Sequence, residues 1–210
     1  DVSESPLMDI EIGAMPCAYG TALNLLTRSQ VNDGDRVLVT GASGGVGLAT
    51  VQLARQKGAR VTAIAAAAKA DAVLTAGAQS VLDRDASLPK EDFTVVIDVV
   101  GGNQFGECLD ALCPGGRLAT SGAIAGPMAE VDLRTLYLKD LTVFGCTYQS
   151  REVFRALVSL INTGSLRPLV SKVYPLKDIA QAQTDFMAKR YPGKLVLRPF
   201  FRTPRRARSL

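Results

Sequence analysis

The sequence predicts an α/β protein: a doubly wound, six-stranded parallel sheet with helices on both faces, plus a flanking C-terminal segment. Three observations predict it. From residue 36 onward, short runs rich in Val and Ile alternate with stretches of helical apolar spacing, the pattern of parallel strands joined by crossover helices. The first of these strands runs directly into a glycine-dense turn and a long apolar helix, RVLVTGASGGVGLATVQLARQKG over residues 36–58. Finally, 47% of the 210 residues are apolar, enough for one sizeable core, or one domain plus part of another.

The elements follow in order. Residues 14–27 read as a helix, and Asn32-Asp33-Gly34-Asp35 is a turn into the first strand. The strands are expected at 37–40, 61–65, 80–82, 94–99, 117–121 and 141–146. Helices fill the gaps at 46–57, at 69–76 before Gly77, and at 103–112 before the strong stop Pro114-Gly115-Gly116. A shorter helix covers 132–138, with Asp132 suited to its first turn. Beyond the sixth strand the alternation ends. Residues 151–162 read as an amphipathic helix with Val153, Phe154, Leu157, Val158 and Ile161 on one side, stopped near Gly164. A short extended piece (170–174), a helix (177–188) and a last strand (194–197) follow.

The glycine turn is where this fold meets an anion. After the strand the chain must turn sharply, bring bare backbone against a pyrophosphate, and start a helix whose N-terminal N–H groups and dipole face it. Gly44, Gly45 and Gly47 suit those tasks: Gly44 admits the phosphates, and Gly47 lets the helix lie close to the strand. The first glycine of G-x-G-x-x-G is replaced by Ala42, preceded by Gly41. This is a Rossmann-type, dinucleotide-binding signal.

Three overlapping motifs fail. Gly41 to Gly45 also fits the G-x-S-x-G elbow of serine hydrolases, but the chain has no histidine to serve as a base. Thr40 to Gly47 fits the turn of short-chain dehydrogenases, yet none of the five tyrosines is followed four residues later by lysine. The sole Gly-Lys pair, Gly193-Lys194, is followed by Leu195 and cannot be a phosphate-binding P-loop.

Charge and cysteine narrow the class further. The formal net charge of +4 is carried wholly by Arg202, Arg205, Arg206 and Arg208 in a basic tail, residues 200–210, expected to be disordered. The remainder is neutral and has no basic stripe with interleaved aromatics, so no nucleic-acid partner is expected. No apolar run reaches the ~20 residues of a membrane span, and the start has no signal-peptide pattern, so no membrane partner and a soluble, cytoplasmic protein are expected. Cys17, Cys108, Cys113 and Cys146 lie singly on apolar segments, without C-x-x-C spacing, and are read as buried free thiols.

The succession AMPCAYGTALNLL, NDGDRVLVTGASGGVGLATVQLARQKGA, VIDVVGG, LCPGGRLATSG, LKDLTVFG, YPLKDIAQA and GKLVL resembles the cofactor-binding half of medium-chain dehydrogenases/reductases. It is most similar to the zinc-independent, quinone oxidoreductase-like branch, in the same order and spacing from about Ala14 to Leu197. That resemblance implies a division into a dinucleotide-binding domain (14–148) and a C-terminal segment (149–199). The latter would complete an N-terminal substrate domain absent from this chain. In the zinc-dependent branch a cysteine ligand precedes the Tyr-Gly matching Tyr19-Gly20 by a few positions; that place falls near Gly13, and Cys17 is displaced from it. No zinc is therefore expected.

The resemblance also implies the site. Ser43, Gly44, Gly45 and Val46 would meet the pyrophosphate. About 20 residues on, where an NAD enzyme presents an acid to the ribose, the chain reads Ala65-Ala66-Ala67-Ala68-Lys69. This favours NADP(H) over NAD(H), with Lys69 on the 2′-phosphate and Arg84 at the adenine side. Backbone at Val99, Gly101, Ser121 and Gly122 would line the nicotinamide, with Thr21 near its carboxamide. Asp98 is read as a buried carboxylate holding a backbone turn, and no residue is assigned as proton donor.

The expected function is hydride transfer between NADPH and a quinone, enone or related carbonyl acceptor, the isolated chain being poorly active or inactive. Two alternatives stay open: the cofactor domain of a zinc-dependent alcohol dehydrogenase, and a nucleotide-binding module without turnover. The sixth strand should be an apolar sheet edge, from which a homodimer is expected.

Overall fold

The computed structural model describes residues 1–199; the tail expected at 200–210 lies outside the described residues. Two helices, α1 (Asp9–Ala14) and α2 (Pro16–Arg28), precede the first strand. The sheet strands are β1 (Arg36–Val39), β2 (Arg60–Ile64), β3 (Ser80–Leu82), β4 (Phe93–Asp98), β5 (Leu112–Thr120) and β6 (Thr142–Gly145). Between them run α3 (Gly45–Gln56), α4 (Ala70–Thr75), α5 (Gln104–Asp110) and α6 (Leu133–Leu138). All six strands are parallel in the order β3-β2-β1-β4-β5-β6, the doubly wound topology.

Alternation along each strand splits the interior into two cores. Val37 and Val39 of β1, with Val95 and Ile97 of β4, face α2, α3 and α7 (Arg151–Thr163). Leu38 and Val96 face the opposite way, toward Cys108 and Leu109 of α5. Both faces are therefore covered, which is why these strands read as continuous apolar runs.

Most boundaries fall within a residue or two of expectation, and the departures have causes. The predicted helix at 103–112 stops at Asp110, because Leu112 already pairs with Phe93 of β4. The register then jumps to Val95 against Arg117, so Pro114-Gly115-Gly116 loops out of β5 rather than preceding it. Lys69 closes a 3-10 turn, Ala67–Lys69, instead of opening α4. The cysteine reading holds for Cys108 and Cys146 but not for the other two: Cys17 is exposed and Cys113 only half-buried. Burial, Asp98 and Glu107 push the Cys108 thiol up to about 12.

The stretch after residue 148 finds packing partners. Ser150 caps α7 by accepting from Val153 N, and Gly164 ends it in the left-handed region at φ 62°. Leu157 and Ile161 sink into the same core as α2, whereas Phe154, expected beside them, is 48% exposed. Gln52 of α3 holds the following loop, donating to Arg167 O and accepting from Arg167 N. The last pieces, β7 (Val170–Pro175), α8 (Ile179–Met187) and β8 (Lys194–Arg198), form a separate two-stranded parallel unit beside α1. Among the described residues, no helix is long and apolar enough to cross a membrane.

Gly47 sets how closely α3 lies on β1. A Cβ there would stand 2.5 Å from Ala42 Cα and 2.8 Å from Ala42 C, both backbone atoms that cannot turn aside. At Gly13 of α1 nothing lies within 4 Å. Gly47→Ala should therefore cost about 1–3 kcal/mol or more, while Gly13→Ala should be neutral or stabilise by up to ~1 kcal/mol. Thermal denaturation of both variants checks this pair.

Candidate functional site

Strand order reverses between β1 and β4, so the connections leaving their carboxyl ends diverge and open a crevice. Asp98 holds its floor. Only 2% exposed, it accepts at Oδ1 from Thr40 Oγ1 (2.7 Å), Val100 N (3.1 Å) and Gly101 N (3.2 Å). Its Oδ2 accepts from Gly101 N and Thr120 Oγ1, each at 3.2 Å. Thr40 Oγ1 accepts in turn from Val99 N at 3.0 Å. The carboxylate thus ties the ends of three adjacent strands and two turn amides, the structural role read for it from sequence.

The glycine turn forms one wall. Gly41, at φ 57°, makes the sharp bend, with the Val99 and Val100 side chains standing where its Cβ would be. Ala42 needs no such freedom: it is fully buried and donates through its N–H to Ile64 O. This division explains how alanine can occupy the position where the motif usually has glycine. Gly44 then caps α3 without a side chain and is exposed. The N–H groups of Gly45, Val46 and Gly47 lie in the first turn and have no acceptor among the described residues. Three donors without an acceptor and the positive end of the helix dipole therefore lie together at the start of α3.

The opposite wall is loop 121–126 folded against residues 99–102. Ser121 N donates to Asp98 O, Ala125 N to Val100 O, and Gly102 N to Gly126 O. A Cβ on Gly122 would come within 2.7 Å of Val99 O, and Gly101 holds φ 65°. Ser43, Gly44, Gly45 and Val46 are in this way set across the crevice from Val99, Gly101, Ser121 and Gly122.

Two other candidates gather at the far end of β2. Lys69 is half-buried, and burial, then Arg84, then Lys189 lower its pKa below the usual lysine range. Its Nζ donates to the carbonyl of Lys189. Thr21 stands apart on α2, half-buried, beside Gly20, which packs against the Gln149 side chain.

The structure adds residues that sequence reasoning missed. Gly193 N donates to Ser43 O at 2.9 Å, and Gly193 bridges Gly44 in parallel register. Lys194 then lays its side chain over the first turn of α3, its Cδ 2.5 Å from where a Gly45 Cβ would stand. The Gly193-Lys194 pair was the signal available, since a glycine before a cation permits such an approach; distance in sequence hid it. Among the described residues, no three His, Cys, Asp or Glu side chains are grouped to hold a metal ion.

Comparison with known proteins places this geometry. The chain is 33% identical over 188 residues to acryloyl-coenzyme A reductase of Metallosphaera sedula, covering 87% of this chain and 56% of that protein. It superimposes with a TM-score of 0.87 and 48% identity on a putative alcohol dehydrogenase from Sinorhizobium meliloti 1021, covering 91% of this chain and 55% of that one. The 2-octenoyl-CoA carboxylase reductase CinF, solved in complex with NADP and 2-octenoyl-CoA, gives a TM-score of 0.87 at 25% identity, over 95% of this chain and 52% of that one. The chain thus spans little more than half the length of these relatives. A family model for zinc-binding dehydrogenases matches residues 45–163, more than half of the chain, which therefore belongs to that family of medium-chain dehydrogenases/reductases.

Proposed function

We propose that the chain is the NADP(H)-binding part of an oxidoreductase that moves hydride between NADPH and a quinone, enone or related carbonyl acceptor. The observation that carries this reading is the N-terminus of α3 at the sheet's switch point, where the N–H groups of Gly45, Val46 and Gly47 have no acceptor among the described residues. Ser43, Gly44, Gly45 and Val46 would hold the pyrophosphate, with the Lys194 ammonium balancing its charge. Lys69 would hold the adenosine 2′-phosphate, with Arg84 at the adenine side. Val99, Gly101, Ser121 and Gly122 would line the nicotinamide, with Thr21 beside its carboxamide. When bound, the cofactor supplies the hydride; this chain's residues bind it and fix its orientation. The NADP bound by CinF and the enoyl thioester named for the Metallosphaera enzyme support the cofactor and acceptor class.

The division at residue 148 enters the same proposal. Residues 14–148 would form the dinucleotide-binding domain, and residues 149–199 would complete an N-terminal substrate domain while Gly193 and Lys194 reach back to the glycine turn. Zinc does not fit the residues present: the sequence has no histidine, Cys17 is exposed, and among the described residues no three His, Cys, Asp or Glu are grouped to hold it. Metal analysis of the purified chain should find well below one zinc per chain; a stoichiometric, tightly held zinc would contradict this.

Coenzyme preference gives a second test. A charge-assisted hydrogen bond contributes about 1.5–3 kcal/mol, so Lys69→Ala should weaken NADPH roughly ten- to a hundredfold and leave NADH nearly unchanged. Only protonated Lys69 attracts the phosphate. NADPH affinity should therefore hold below the lowered pKa of Lys69 and fall as pH rises through it, whereas NADH affinity should not. Calorimetric titration across pH measures both effects.

The apolar edge supports a homodimer. β6 closes one side of the sheet, and around it Ile124 (77%), Met128 (81%), Leu138 (72%) and Tyr148 (78%) are largely exposed. Sedimentation should show a dimer, and Val143→Lys on the edge should shift it toward monomer.

A further inference from the structure

We propose that Asp185 is the positioning residue for a strap, residues 189–194, which closes over the phosphate end of the coenzyme site and sets the preference for the 2′-phosphorylated coenzyme. The inference rests on the dinucleotide reading of the glycine turn.

Asp185 lies on α8, 3% exposed, and does not touch the crevice. Four donors surround its carboxylate: Tyr174 OH (2.5 Å), Lys172 Nζ (3.0 Å), Gln181 Nε2 (3.1 Å) and an Arg190 guanidinium nitrogen (3.0 Å). Hydrogen bonds from Tyr174 and Lys172 keep the carboxyl well below the usual carboxylate range, so it is charged at any ordinary pH. Tyr174 and Lys172 belong to β7 and Gln181 to α8, which makes the node a rigid base. Arg190 belongs to the strap. A second hold comes from the Lys172 ammonium, 4.6 Å from the Tyr174 ring centre and 5.5 Å from that of Tyr191.

The strap leaves α8 at its C-terminal turn, where Lys189 N donates to Phe186 O. Lys189, next to Arg190, sits at φ 52°, a left-handed conformation that disfavours a lysine. There its carbonyl receives Lys69 Nζ. Further along, Gly193 and Lys194 are held independently, by Ser43 O and by Leu169 O. Cutting Arg190 from Asp185 should therefore leave the Lys189 end on its single backbone bond to Phe186 O and loosen the seat of Lys69, while Lys194 stays over α3. The loss should fall on the 2′-phosphate and spare the pyrophosphate.

The test titrates NADPH and NADH into the full chain and two variants. Asp185→Asn removes the charge at the node. Arg190→Gln, whose side chain is 66% exposed, cuts only the strap and keeps the test intact should the first variant unfold. The expected result is a loss of about tenfold in NADPH affinity for Asp185→Asn and about threefold for Arg190→Gln, with NADH changed less than about twofold in each. Arg190→Lys should restore part of the loss. A role in stability alone would lower the melting temperature without moving the NADPH-to-NADH ratio. Folded variants that keep the wild-type ratio, or lose both coenzymes equally, overturn the inference. A wild-type chain that binds neither coenzyme overturns the underlying reading and the inference with it.

Discussion

The Asp98 carboxylate sits where three parallel strands end, and its oxygens accept from Thr40, Val100, Gly101 and Thr120. A buried charge is tolerable only when such donors replace its water. Here the donors come from β1, β4 and β5 in turn, so the satisfied charge is also a clamp on the switch point. Every other feature of the crevice is referred to it. The turn at Gly41 presses against Val99 and Val100, and loop 121–126 is hydrogen-bonded to Asp98 O and Val100 O. Loss of the clamp would let both walls move together.

The crevice joins backbone that is fully paired to backbone that is not. Val100 and Gly101 amides are bound by Asp98, whereas the Gly45, Val46 and Gly47 amides of α3 have no acceptor among the described residues. Their separation follows from Gly47, which allows α3 to start hard against Ala42. The helix begins too early and too close for any side chain to cap it, and Gly44 has none to offer. On the proposed reading an anion is their complement, with Lys194 beside the first turn of α3 and Lys69, close to Arg84, after β2 as the cations that would accompany it.

Much of this was legible in the residues. The central strands β1 and β4 are β-branched runs buried on both sides, and the turn glycines each answer a local demand, so local pattern sufficed there. Asp98 was legible as a structural acid because a carboxylate among valines must find donors. The start of β5 was not, since Pro114-Gly115-Gly116 announces a stop and gives no sign of a strand resuming across it. Nor was the seat of α7: its amphipathic pattern shows that a face is buried, but not that α2 covers it. Cys17 was misjudged because apolar neighbours in sequence do not share its helix face. The strap was the least legible, because Gly193 meets Ser43 and Lys189 meets Lys69 across more than a hundred residues, in each case through a backbone carbonyl acceptor that carries no residue signature.

Amide-resolved hydrogen exchange with and without NADPH tests the central claim most directly. The account predicts that Val100 and Gly101 are protected in the free chain and unchanged by coenzyme. Gly45, Val46 and Gly47 should gain protection on binding. Fast exchange at Val100 and Gly101 in the folded chain, or indifference of the three α3 amides to bound NADPH, would contradict it.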